Sequence, residues 1–288
     1  MGASRSVSQG SASPARTLGE VEGELAESNL EAEAAPLCRI CGLSSAPFAK
    51  TEVLGKYPVR YYRCEECGFI QTESPYWLEE AYTTAITRQD VGIMQRNLVN
   101  CEVTTAVLNL LFPDLTCAVD YGAGHGVFVR LMRDRGFRFS WCDRYATNDY
   151  ARGFEHQEGA RYDLLTAFEV LEHLTDPISG FAGLMELSDN VFVSTWLLPE
   201  PAPKLSDWWY YSPVTGQHIA FYTHAGLQRL AARFGRNLLS NGSYHLFTKQ
   251  PKSEYLFRAA TSLRLARLVN LMHRRPSLVD EDYQLMTG

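Results

Sequence analysis

A chain of 288 residues with 27 Lys+Arg against 33 Asp+Glu, a formal net charge of −6 and 45% hydrophobic residues is long enough for one large and one small domain. The mild acidity argues against broad nucleic-acid binding, which works by neutralising phosphates and leaves a basic footprint. No apolar run reaches the roughly 18 residues of a membrane-spanning helix. The start lacks the charged-then-apolar pattern of a secretory signal, so a cytoplasmic protein is the expectation.

Residues 1–35 hold two Arg, six Glu and no aromatic residue. Such a segment cannot bury enough apolar surface to offset its chain entropy, which predicts a disordered tail. Residues 36–75 change to cysteines, turn residues and short aromatic strands, and residues 76–113 read as a helical lid or linker. Over 114–249 short β-rich runs alternate with helical segments, the pattern of an α/β fold with helices on both faces of a parallel sheet. Strands are predicted at 116–121, 138–142, 162–168, 190–196, about 237–241 and 243–248, with helices at about 126–136, 177–187 and 223–234. Asn241-Gly242 suits a tight turn with positive φ and pairs the last two strands as an antiparallel hairpin. Residues 250–288 form a basic amphipathic tail: Lys249 to Arg275 carry seven Lys/Arg and one Glu among regularly spaced leucines. Docking on its own domain and weak contact with an anionic membrane surface or a partner are both open to it.

Cys38-Arg39-Ile40-Cys41-Gly42 and Cys64-Glu65-Glu66-Cys67-Gly68 are two C-x-x-C-G knuckles with 22 residues between them. Each C-x-x-C turn aims two thiolates at one point, and the following glycine permits the twist that frees amides to bond sulfur. The reading is a zinc ribbon with Cys38, Cys41, Cys64 and Cys67 as ligands. It is structural, because four thiolates leave no open coordination position. Two disulfides or a redox dithiol are the alternatives, disfavoured by a cytosolic setting and by the absence of a thioredoxin-like pattern. Five Lys/Arg against four Glu over 36–75 leave no basic stripe for RNA.

An apolar strand, Cys117-Ala118-Val119-Asp120-Tyr121, runs into Gly122-Ala123-Gly124-His125-Gly126 and then into a helix. Glycines at such a turn let a nucleotide-like cofactor approach the backbone, and the helix start offers free N–H groups. A dinucleotide fold asks for G-x-G-x-x-G, whereas here the third dinucleotide glycine is replaced by Val127. Asp120 would repel a pyrophosphate but suits a cofactor bearing an ammonium group, such as S-adenosylmethionine (SAM). Twenty-one residues after Gly122, Asp143 closes a second strand where it can accept both ribose hydroxyls.

On these residues the chain resembles the class I SAM-dependent methyltransferases over about Arg88 to Thr248. Tyr162 to Leu174, with its Glu169-Val170-Leu171-Glu172-His173 run, looks like the fourth strand of that family and its continuation, with Phe168 and Glu169 at the cofactor. Gly216 to Thr223, containing His218 and Tyr222, looks like the segment that leads into the last helix. The resemblance implies a Rossmann-like sheet ending in an antiparallel hairpin, a SAM cofactor held by Asp120, Tyr121, Gly122, Ala123, Gly124, Gly126 and Asp143, and a lid helix with Arg96 or Asn97 facing it. Only about twenty residues separate Asp143 from Asp163, so the second helix and third strand are abbreviated. Glu155 is the candidate acid for the adenine amino group, and Arg144 stands where the family often places an apolar residue.

Methyl transfer is an in-line displacement, so the protein aligns the reacting groups and removes a proton where the acceptor needs it. His218 and His173 are the candidate bases, since imidazole titrates near neutrality, against the alternative of structural histidines bonded to carbonyls. Tyr222 either orients the acceptor or packs, and His125 caps the helix start. Between Trp196 and Tyr222 a run of aromatics and prolines suits a pocket for a small molecule or a sugar, with packing alone accounting for about half of them. A C-x-x-C ribbon ahead of this fold is similar to the deoxysugar C-methyltransferases, which carry a further C-terminal domain where this chain has some forty residues. The expectation is a zinc-containing SAM-dependent methyltransferase with a small-molecule or sugar acceptor. An RNA base methyltransferase and a catalytically silent scaffold are the alternatives.

Overall fold

The computed structural model describes residues 35–83 and 90–288. The expected tail, save Ala35, and Thr87, Arg88 and Gln89 of the expected lid lie outside the described residues. From the N-terminal side, β1 (Ser45–Val53) and β2 (Tyr57–Cys64) form an antiparallel hairpin, and β3 (Ile70–Thr72) pairs with β2. A short helix α1 (Leu78–Ala81) and a long one, α2 (Ile93–Leu111), follow. The cysteine-bearing sheet takes its fourth strand from far along the chain: β8 (Ala220–Phe221) pairs antiparallel with β3, Ile70 opposite Phe221 and Gln71 opposite Ala220.

The larger sheet contains β4 (Ala118–Tyr121), β5 (Phe139–Cys142), β6 (Leu164–Phe168), β7 (Val191–Ser194), β9 (Asn237–Ser240) and β10 (Tyr244–Thr248). Its order is β5-β4-β6-β7-β10-β9, the first four parallel and β10 antiparallel to both neighbours. This is the predicted α/β, Rossmann-like sheet with its terminal hairpin. The loop between β9 and β10 is one residue longer than expected, because Asn241 Oδ1 accepts the Ser243 and Tyr244 amides and draws Ser243 into the turn. Where a third strand is abbreviated, the chain adds a single parallel bridge, Trp141 to Glu155.

Alternation along the strands explains why both faces are covered. Ala118, Leu164, Phe192 and Leu246 face one apolar layer, in which α2 and α3 (Val127–Asp134) lie. Val119, Leu165, Val191, Val193 and Phe247 face the other, with α4 (Pro177–Leu187) and α5 (His224–Arg233). Side chains a single residue apart in a strand point to opposite faces. Both helices of the second layer start where the sequence offers a cap: Asp176 accepts the Ile178 and Ser179 amides ahead of α4, and Thr223 accepts the Gly226 amide ahead of α5.

The basic tail is three helices rather than one: α6 (Glu254–Thr261), α7 (Leu263–Met272) and α8 (Val279–Thr287). It docks on its own domain. Phe257, Ala260, Ala266 and Val269 join the first apolar layer, Asn270 donates to Glu102 of α2, and the buried Asp282 receives the guanidinium groups of Arg130 and Arg133 from α3. No helix among the described residues is long and apolar enough to cross a membrane.

Candidate active site

The strands β4, β5, β6 and β7 end at one edge of the sheet, and the candidate residues gather in the bends that follow. Gly122, Gly124 and Gly126 all have positive φ, at 71°, 52° and 86°, a region L side chains rarely adopt. A Cβ on Gly122 would stand 2.7 Å from Val170 Cγ2, and one on Gly126 2.8 Å from Asn148 Oδ1. The glycines therefore close the bend onto the segment after β6 and the loop after β5. Ala123 is buried and Tyr121 half-buried.

Asp143 ties this bend together. Its Oδ2 accepts the Gly124 amide at 2.8 Å, and Oδ1 accepts the Tyr145 and Ala146 amides at 2.7 and 2.8 Å. Asp120 is buried beneath, where the Thr166 hydroxyl donates to its Oδ1 at 2.6 Å. Burial pushes its carboxyl up to about 7, the nearby Asp143 adds to the rise, and the Thr166 hydrogen bond opposes it. An acid so placed is only part-ionised at neutral pH, and a cation beside it would hold it in the charged form.

The other cofactor candidates divide. Arg144 is exposed, its guanidinium over the Tyr145 ring. Glu155 is engaged at home, accepting from Asn148 Nδ2 at 2.7 Å and from the Gly153 amide at 3.0 Å. Phe168 packs edge-on to Phe128, Phe192 and Tyr244. Glu169 has a φ of 53°; its carboxylate accepts from Ser194 Oγ at 2.7 Å, and burial raises its pKa. His125 does not cap the helix: α3 starts without a side-chain cap, and the imidazole lies 2.8 Å from Asp149. Of the expected lid pair, Arg96 binds Asp90 at 2.6 Å and Asn97 donates to Ile93 of its own helix.

His173 and His218 meet edge to face, ring centroids 4.9 Å apart. Each spends Nδ1 on a backbone carbonyl, His173 on Gln217 at 3.1 Å and His218 on Tyr210 at 2.7 Å, while keeping part of its surface exposed. Sequence led us to expect imidazoles titrating near neutrality. Burial instead lowers His218 to about 4 and His173 to about 3, the neighbouring His218 adding to the latter. Both are neutral at physiological pH, protonated at Nδ1. Tyr222 is fully buried, packs on Phe69 and donates to the Leu171 carbonyl at 2.9 Å, so its hydroxyl braces the turn that carries Glu172 and His173.

Two neighbours, Glu172 and Tyr82, have no role assigned from the sequence. Glu172 is completely buried, and its Oε1 accepts the Tyr210 hydroxyl at 2.5 Å. Tyr82 brings its hydroxyl 2.9 Å from His173 Nδ1 and stacks on Tyr145, linking the segment before α2 to the loop after β5. Glu172 stood in plain view three residues after Glu169, but its partner sits in an aromatic run with no periodicity to single out Tyr210. In that run Trp208, Tyr210 and Tyr211 are buried, whereas Trp209 is 68% exposed and meets Trp196, 47% exposed, edge to face.

Away from this edge, the four cysteines converge, with Cys38 and Cys67 Sγ 3.7 Å apart and Cys41 and Cys64 Sγ 3.5 Å apart. All four sulfurs lie within 4.8 Å of one another. None is in a disulfide. Four thiolates at about 2.3 Å from one zinc stand roughly 3.8 Å apart, so the donor set fits that ion. The knuckles repeat one another: Gly42 donates to the Cys38 carbonyl and Gly68 to the Cys64 carbonyl, both glycines at positive φ. The hydrogen bond from Cys67 takes Cys38 down to about 5, and the same bond raises Cys67. Sulfurs crowded in this way cannot all ionise without a cation among them.

Residues 94–241 match the family described as "Methyltransferase domain". Among solved structures, the chain is similar to TnmH, at 18% identity over 61% of this chain and 62% of that one with a TM-score of 0.46. It is also similar to an O-methyltransferase family protein from Burkholderia thailandensis, at 15% identity over 59% and 66% with a TM-score of 0.42. Human N-acetylserotonin methyltransferase in complex with SAM gives 17% identity over 53% and 52% with a TM-score of 0.39. The chain spans between about half and two thirds of the length of these proteins. No curated protein matches it.

Proposed function

The chain belongs to the methyltransferase-domain family, and on that premise we propose that it transfers a methyl group from SAM to a small-molecule acceptor, sugars included. The observation that carries this reading is the pair Asp120 and Asp143 around a bend of three left-handed glycines at the sheet edge. A buried carboxyl held near 7 favours a cationic ligand over a pyrophosphate. When bound, SAM supplies a methyl group on a positively charged sulfur, which leaves as a neutral thioether once the methyl carbon is attacked.

The side chains of this protein do the rest. Asp143, already fixed by three amides, is rigid enough to take hydroxyl groups, and Ala123 and Gly124 let a ligand lie against the backbone. His218 and His173, neutral with Nε2 unspent, offer two nitrogen lone pairs with which the acceptor can be held. Glu169, raised by burial, is a stronger proton acceptor than an ordinary carboxylate. The exposed pair Trp196 and Trp209 offers flat apolar faces on which an acceptor ring can rest. In the same reading, Cys38, Cys41, Cys64 and Cys67 hold a structural zinc ion that stabilises a segment too small for a core of its own.

The test is to incubate the protein with methyl-labelled SAM and either a metabolite extract or RNA. Label in a small molecule that disappears in an Asp143→Ala variant supports the proposal. Label in RNA, or in nothing from either pool, overturns it.

A further inference from the structure

Glu172, His173 and His218 each present a ligand atom within 4.8 Å of the other two, and the mechanism above leaves this cluster only partly explained. Glu172 sits at 0% exposure with one oxygen satisfied by Tyr210 and the other, Oε2, without any hydrogen-bond partner. A buried carboxylate oxygen left bare costs far more than a typical hydrogen bond returns. Arg96, the cation whose field reaches the neighbouring Glu169, is bound to Asp90 instead.

The two imidazoles are arranged as ligands usually are. Each donates Nδ1–H to a backbone carbonyl, Gln217 or Tyr210, which fixes the ring and leaves Nε2 as the free donor atom. Glu172 is oriented in turn by the Tyr210 hydroxyl, and His173 has the Tyr82 hydroxyl beside it. The cysteine ribbon cannot serve this cluster, since its four sulfurs complete a tetrahedron of their own.

We propose that Glu172, His173 and His218 bind a divalent first-row transition-metal ion as two imidazoles and one carboxylate, leaving a position open for an acceptor oxygen. Two nitrogens and a carboxylate with open positions is a donor set that zinc, iron(II) and cobalt(II) accept, and a three-ligand site is the catalytic rather than the structural pattern. Its role rests on the methyl-transfer reading, although the binding itself does not. An acceptor hydroxyl in the open position gives up its proton more easily. That proton passes to the Glu169 carboxylate, the freed oxygen lone pair forms the bond to the methyl carbon, and the carbon–sulfur pair stays on sulfur.

Full-length protein with its ribbon zinc in place is titrated with Co(II), and bound metals are counted after desalting. We expect about one cobalt per chain beside one zinc, with visible absorption of a nitrogen and oxygen site and no sulfur-to-cobalt charge-transfer band. Glu172→Gln and His218→Ala should each weaken cobalt binding on the order of 100-fold while the zinc count stays unchanged. No retained cobalt in the wild type, a sulfur band on the bound cobalt, or undiminished binding in folded variants overturns the proposal. If a variant fails to fold, the stoichiometry and spectrum of the wild type decide alone. Calorimetry with SAM on the same samples separates the two readings: SAM binding without cobalt removes only the metal site, and cobalt without SAM removes only the methyl-transfer reading.

Discussion

The ribbon sulfurs and the acids at the sheet edge are both like groups crowded together, and they differ in how completely each is closed. Around the ribbon, two matching knuckles turn four sulfurs to one point, and Thr223 ahead of α5 clamps the second knuckle by donating to the Cys67 carbonyl. Four sulfurs at one point leave no open coordination position for a substrate. At the sheet edge Asp120, Glu169 and Glu172 are all raised by burial, each accepts from hydroxyl donors, Tyr210 being shared between Glu169 and Glu172, and an oxygen of Glu172 has no partner. The first region spends its chemistry on folding. The second holds charge in reserve for something that arrives from solution.

The largest effect should come from opening the closed region. On the proposed zinc site, Cys41→Ser or a chelator should strip a crosslink between the two knuckles; an expected loss of about 4 kcal/mol lowers the melting temperature by roughly 10 °C. A melting curve unchanged by chelation would show that the ribbon stands without metal.

Next, Asp120→Asn should make the free protein more stable. The folded carboxyl lies near 7 against 3.8 as its ordinary value, so the stability it contributes is complete below about pH 4 and is lost as pH rises through 7. That loss amounts to roughly 4 kcal/mol. Denaturant midpoints at pH 8 should therefore rise in the variant, whose amide oxygen can still accept from Thr166, while SAM affinity falls. In the wild type, SAM should bind more tightly as pH climbs through 7, since the ligand needs the ionised acid. A variant that loses stability would place Asp120 in the structural class with the cysteines.

Smaller still, Tyr210→Phe removes the donor to the fully buried Glu172 and should cost about 1–3 kcal/mol, read by urea unfolding. Trp209→Ala, at an exposed ring, should leave stability within about 0.5 kcal/mol while raising KM for the acceptor. A change in stability without a change in KM would mean that Trp209 only packs.

Much of the larger sheet was legible because its signals are local. Strand alternation, the Asn241-Gly242 turn and the caps at Asp176 and Thr223 are written within a few residues of where they act, and the observed strands begin and end within two residues of the expected ones. The predicted start of β6 at Tyr162 moved to Leu164 because the Asp163 carboxylate turns aside to accept the Thr116 and Cys117 amides. Long-range facts were not legible. The two residues of β8 carry no strand signal of their own, and only pairing with β3 makes them one. The histidines were singled out by position, but their neutrality comes from burial, which depends on Tyr210 and on the turn braced by Tyr222. Glu172 was visible as a letter in a motif, and its isolation from solvent was not.

Isothermal titration of SAM into the protein, with S-adenosylhomocysteine and NADH as comparisons, asks whether the two aspartates hold an adenosyl ligand. Both adenosyl ligands should bind, SAM more tightly at pH 8 than at pH 6, with loss of affinity in Asp120→Asn and Asp143→Ala and no heat from NADH. Binding of NADH in place of SAM, or SAM binding indifferent to both aspartates, would contradict the proposal.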